Sequence, residues 1–124
     1  MTSSFKEIKA WQLAHQFVID VYKTTQEFPD FERFGLCSQF QRSAVSIAAN
    51  IAEGYKKLSK ADKLRFLNIS QGSIEECRYY ILLSKDLNYI CADSYDSLND
   101  EIEKVSWYVN KYCKGIINNN GILD

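Results

Sequence analysis

The sequence has one proline, Pro29, and only five glycines in 124 residues. With so few places for the backbone to break, long helices are expected. Histidine is as scarce, with His15 alone, and the four cysteines (Cys37, Cys77, Cys91, Cys113) stand 40, 14 and 22 residues apart with no C-x-x-C pair. Zinc ligation fits that spacing poorly, and reduced thiols are the simplest reading. Charge of one sign is also lacking: 15 basic against 16 acidic residues give a net charge of −1 and a pI near 5.8. The chain as a whole therefore carries no strongly basic field of the kind nucleic-acid binders show. No apolar run approaches the roughly 18 residues needed to span a bilayer, and the opening "MTSSFKEIKAWQ" lacks the apolar core of a secretion signal. The expectation is a single cytoplasmic domain covering residues 1–124 with no membrane contact.

What is present is helical periodicity. Trp11, Ala14, Val18, Val21, Thr25 and Phe28 follow at gaps of 3, 4, 3, 4 and 3, predicting a first helix over about 5–27 that ends at Pro29. Phe40, Ala44, Ile47 and Ile51 mark a second helix over 36–57. Ser59, three residues before Asp62, is the predicted cap of a third, over 60–88. Its stripe is Phe66, Ser70, Ser73, Cys77, Tyr80, Ser84 and Leu87, with Leu67, Ile74 and Ile81 alongside. Tyr95, Leu98, Ile102, Val105, Val109, Tyr112 and Ile116 predict a fourth helix over 94–117, followed by a frayed polar tail at 118–124. No segment alternates with period two over strand length. The fold class expected is all-α, an antiparallel up-down-up-down four-helix bundle.

The second helix is unusual. Its stretch "SIAANIAEGYKK" is built from small and apolar residues, and its polar stripe is narrow: Arg42, Ser46, Asn50 and Glu53. Two explanations compete. Small residues can keep the helix slim so that its neighbours pack closely, or a second subunit can cover its outer face. The double apolar stripe of the third helix favours the second explanation, a homo-oligomer. The stripe residues, with Ser73 and Glu76, are then candidates for a polar network that fixes register at the interface.

No catalytic constellation stands out. G-x-S-x-G, H-E-x-x-H and a G-K-[ST] phosphate loop are all missing, and Glu75, Glu76 and Glu53 lack the Glu-x-x-His partners of a di-iron bundle. No cofactor or small-molecule substrate is inferred. Basic residues do concentrate around the second connection, where Lys56, Lys57, Lys60, Lys63 and Arg65 fall within ten residues. They are candidate contacts for RNA or DNA phosphates; a solvated helix-loop-helix corner is the plainer alternative.

The segment "FERFGLCSQFQRSAVSIAANIAEGYKKLSKADKLRFLNISQGSIEE" resembles the central signature of the four-helix-bundle family named for the 23S rRNA intervening-sequence protein. The matching residues are Phe34-Gly35-Leu36, Gln39, Arg42, Ser46-Ile47, Asn50 to Gly54, Ser59, Arg65 to Leu67, Gly72-Ser73 and Glu76. Trp11, Ala14 and Phe28-Pro29 fit as well. Ala48 departs from the pattern, which often has proline there. The resemblance implies an antiparallel bundle that assembles as a homopentamer. Some members are encoded inside insertions in large-subunit rRNA genes. The related accessory variability determinants of diversity-generating retroelements bind nucleic acid and reverse transcriptase through a markedly basic surface. The functional expectation is a non-enzymatic homo-oligomeric module that serves RNA, DNA or a nucleic-acid enzyme as accessory factor or scaffold. The alternative is a structural protein–protein adaptor without a nucleic-acid role.

Overall fold

Local chemistry sets each helix boundary in the computed structural model, which describes residues 3–119. Its helices are α1 (Lys9–Thr25), α2 (Leu36–Lys56), α3 (Lys60–Asp86) and α4 (Ala92–Asn118), with short 3-10 turns at Phe5–Glu7 and Asp30–Glu32. The first helix starts later than the periodicity predicts. Ser4 Oγ accepts from the Lys6 amide at 3.2 Å and caps the short turn, and Ile8 is extended at ψ 121°, so α1 begins only at Lys9. The third helix starts as expected, with Ser59 Oγ accepting from the Asp62 amide at 3.1 Å. It stops at Asp86 because Asn88 turns left-handed at φ 63°. Tyr89 N–H then donates to Ser84 O at 2.8 Å and Asn88 N–H to Lys85 O at 2.9 Å, the hydrogen-bond pair of a Schellman stop. The fourth begins at Ala92, two residues early, with the Cys91 thiol accepting from the Ser94 amide at 3.5 Å. The predicted frayed tail falls mostly outside the described residues.

α1 packs on α2, α2 on α3 and α3 on α4, and α1 and α4 close the ring, with no close backbone approach between diagonal helices. Short connections and this contact pattern make an up-down-up-down bundle; no strand occurs among the described residues. Phe17, Phe40, Ile47, Ile51, Ile74, Ile81, Ile102 and Val109 are wholly buried along its axis.

Two stripes differ from their predicted register. On α1 the buried line is Ala10, Ala14, Phe17 and Val21, while Trp11 and Val18 sit half-buried at its edge. On α3 the predicted Ser70, Ser73, Cys77 and Ser84 are buried, but Leu67, Ile74 and Ile81 share the core with them, and Phe66 and Tyr80 only flank it. Leu87 is exposed. Leu67, Ile74 and Ile81 of the second α3 stripe are thus consumed inside the bundle, while Ile69, Tyr79 and Leu82 of the same helix remain exposed.

Small residues let α2 and α3 approach closely. A methyl group added at Gly54 would lie 3.3 Å from both Lys63 O and Phe66 Cβ. Ser70 lies wholly buried between the two helices and donates to Ile47 O at 2.9 Å. Slimness for intramolecular packing therefore accounts for much of the composition of α2.

Candidate functional site

The antiparallel order gathers the start of α1, the end of α2, the start of α3 and the end of α4 at one end of the bundle. Within about two turns of that end, counting the flanking connections, lie Lys6, Lys9, Lys56, Lys57, Lys60, Lys63, Arg65, Lys111 and Lys114. Glu7, Glu53 and Asp62 are the only carboxylates there among the described residues. Nine cations against three carboxylates make this end strongly basic. At the opposite end the same reckoning gives seven carboxylates (Asp20, Glu27, Asp30, Glu32, Asp86, Asp93, Asp96) and four cations (Lys23, Arg33, Arg42, Lys85). The net charge of −1 conceals a molecule sorted by sign.

The five cations singled out from the sequence come together at the basic end, but they do different things. Lys60 Nζ donates to Ile117 O at 2.7 Å, and Lys63 Nζ donates to Tyr55 O at 2.7 Å and Gly54 O at 3.4 Å. These two ammonium groups satisfy the last carbonyls of α4 and α2, where the helix dipoles place negative potential. Burial lowers the Lys63 pKa below the usual lysine value. Lys57 Nζ and the Arg65 guanidinium lie 4.8 and 4.7 Å from the centre of the Phe66 ring. Arg65 also sits 3.9 Å from Asp62. Lys56 is exposed, 5.9 Å from the Tyr55 ring. Lys6, Lys9, Lys111 and Lys114, all exposed, complete the surface. They are far from the cluster in sequence, and only the fold brings them to it.

A second feature runs along the outer seam of α2 and α3. Gln39, Arg42, Ser43, Ser46, Ser73, Glu76 and Tyr80 line an open groove of about 400 Å³. Ser73 Oγ donates to Ser46 Oγ at 2.9 Å, and Asn50 Nδ2 donates to Ser46 Oγ at 3.0 Å and Ser46 O at 2.8 Å. Ser43 Oγ donates to Glu76 Oε1 at 3.4 Å, and Tyr80 OH to Gln39 Oε1 at 3.2 Å. Within the chain, hydrogen bonds thus join Ser46, Asn50 and Ser73, and a separate one ties Glu76 to Ser43. Arg42 and Glu53 stand apart, exposed and without an ion pair among the described residues. Beside the groove Ile69 and Tyr79 are 44% and 57% exposed, and nothing lies within 4 Å of a methyl added at Gly72.

No group of three His, Cys, Asp or Glu among the described residues could hold a metal ion. His15 is stacked on Trp11, ring centres 4.9 Å apart. No described helix is long and apolar enough to cross a membrane. Sequence reasoning passed over Phe31 and Phe34, which are 79% and 89% exposed in the α1–α2 connection; only Phe34 carried a signal, as part of the Phe-Gly-Leu motif.

The fold defines an antiparallel four-helix bundle with a charge-sorted surface. The chain belongs to the 23S rRNA-intervening sequence protein family, whose profile matches residues 6–111. It is also similar to a solved structure from Bacteroides thetaiotaomicron VPI-5482, described as a protein of unknown function from the S23 ribosomal protein family. The two share 26% identity and superpose with a TM-score of 0.76, over 85% of this chain and 98% of the other. No curated protein matches the sequence.

Proposed function

We propose that the protein is a non-enzymatic, homo-oligomeric interaction module whose basic end binds the phosphate backbone of RNA or DNA. The observation that carries this reading is the convergence of nine cations, from all four helices and their flanking connections, on one end of a chain whose net charge is −1. Lys6, Lys9, Lys56, Lys111 and Lys114 are exposed there, and phosphate neutralisation by such groups is sequence-independent and steeply salt-dependent. Assembly multiplies the effect, because several weak basic ends on one particle bind a polymer with avidity. The outer face of α2 and α3 is the surface we assign to self-association: it combines exposed Ile69 and Tyr79, the open flank at Gly72 and the Ser46–Asn50–Ser73 network.

A second reading, a protein–protein adaptor with no nucleic-acid role, draws support from Lys60 and Lys63. Their charges are already engaged with the helix carbonyls of this chain. Titration of a labelled RNA hairpin at several salt concentrations separates the two. The first reading expects log affinity to fall linearly with log salt, and Lys56→Glu with Lys57→Glu to flatten that slope by about one to two. Absence of binding at low salt would leave the adaptor. Light scattering on the eluting protein tests assembly directly. A monomeric mass would remove the oligomer from the proposal.

A further inference from the structure

The acidic end carries an anomaly that neither the core nor the phosphate reading absorbs. Phe31 and Phe34 point into water, 79% and 89% exposed, although a phenylalanine side chain gains substantially from burial. They are not on a loose loop. Between them Glu32 accepts from the Leu36 amide at 3.1 Å through Oε1 and from Tyr89 OH at 2.8 Å through Oε2, pinning the α1–α2 connection to the α3–α4 connection. Phe28 packs beside the Tyr89 ring with centres 5.1 Å apart. Backbone bonds from Glu32 N–H to Pro29 O (2.9 Å), Arg33 N–H to Asp30 O (3.1 Å) and Gly35 N–H to Glu32 O (3.0 Å) complete a rigid turn. The two rings are thus presented from a preformed platform. The same connection also borders an open hollow of about 380 Å³ between α1 and α2 through Phe28, Pro29, Asp30 and Arg33, although neither exposed ring lines it.

The net charge of this end, negative despite the exposed Arg33 between the rings, selects the partner. Glu27, Asp30, Asp86, Asp93 and Asp96 are all exposed at this end, and they outnumber its cations. A polyanion is repelled there. We propose that the Phe31–Phe34 platform is a docking site for a cationic, amphipathic protein segment, whose apolar side chains cover the two rings while its lysines or arginines meet the exposed carboxylates of this end of the bundle. Preorganised aromatic anchors within a rim of charge are what a recognition site for such a segment needs. The site is at the far end of the bundle from the phosphate-binding cations and does not depend on them.

The test uses the full chain and a labelled synthetic amphipathic peptide of leucine and lysine, read by fluorescence anisotropy. Two control peptides replace lysine by glutamate or leucine by serine. Wild-type protein should bind the leucine–lysine peptide, with affinity falling as salt rises, and bind both controls more weakly. Phe31→Ser with Phe34→Ser should weaken binding about tenfold or more and leave the melting curve cooperative, because neither ring is in the core. Asp30→Lys with Asp93→Lys should weaken it independently, and Lys56→Glu with Lys57→Glu should leave it unchanged. Failure of the wild type to bind the peptide, or equal binding by the double phenylalanine variant, would overturn the proposal. So would concentration-dependent self-association, in sedimentation, that disappears in that variant, because it would assign the platform to a second copy of the chain.

Discussion

The ammonium group of Lys63 lies 2.7 Å from the carbonyl oxygen of Tyr55, across the junction between α2 and α3. The lysine is in the first turn of one helix and closes the last turn of the other, so the basic cluster is partly structural. Lys63→Met should therefore destabilise the bundle by about 1 kcal/mol, through carbonyls left without their cation. Lys56→Met should change stability by less than about 0.5 kcal/mol. Urea unfolding with an unchanged m-value checks both, and equal effects at the two positions would contradict the capping role.

Gly35 has a similarly local job. A methyl group there would lie 2.8 Å from Glu32 Oε1, the oxygen that accepts from the Leu36 amide. Gly35→Ala should displace that carboxylate and lose the start of α2, at about 1–2 kcal/mol. Glu32→Ala removes the same cap. The double variant should then be no worse than the more damaging single one, a non-additivity that a double-mutant cycle measures.

Three helical glycines should answer differently to alanine. Gly72 and Gly115 have nothing within 4 Å of an added Cβ, so alanine should stabilise the monomer by up to about 1 kcal/mol through helix propensity. Gly54→Ala presses against Lys63 O and Phe66 Cβ at 3.3 Å and should be net destabilising, because a backbone carbonyl cannot move aside cheaply. Gly72 has a further use. If α2 and α3 face a second copy, its alanine should weaken assembly while raising monomer stability, whereas Gly115→Ala should leave the mass in light scattering unchanged.

Glu101 on α4 gives a pH signature. Burial, together with a hydrogen bond to and repulsion from Asp20 on α1, raises its pKa from 4.5 to about 8, with Lys104 opposing. The folded state holds this proton more tightly than the unfolded chain does. Its contribution to stability is complete below pH 4.5 and is lost as pH rises towards 8. Glu101→Gln keeps the neutral form throughout. It should be progressively more stable than wild type across that window, and a constant difference from acid to alkaline pH would show that the carboxyl titrates normally.

Helix number, the Ser59 cap and the α4 stripe were legible because each is a local signal in the chain. The register of α1 was legible only in part: Ala14, Val21, Thr25 and Phe28 are buried as expected, but Trp11 and Val18 are not. Ala10 and Phe17 offer the same apolar spacing as Trp11 and Val18, and only the neighbouring helices decide which pair turns inward. The Ser46–Asn50–Ser73 link was half legible: helical spacing joins Ser46 to Asn50, whereas Ser73 reaches them only once α3 is laid on α2. Exposure of Phe31 and Phe34 runs against hydropathy, which assigns phenylalanine to the interior. The sorting of charge was hidden for another reason. A sum over the sequence weights Lys6 and Lys111 without regard to place, and antiparallel packing brings them to the same end.

That sorting has a consequence for how the two ends behave together. α3 has 27 residues and is about 40 Å long, while electrostatic screening at physiological salt acts over about 8 Å. Several screening lengths of protein and solvent separate the ends, so each is electrically deaf to a charge placed at the other. In dilute salt the insulation fails. The bundle then behaves as a compass needle, turned by the field of a polyanion so that its basic end leads and its aromatic end trails free.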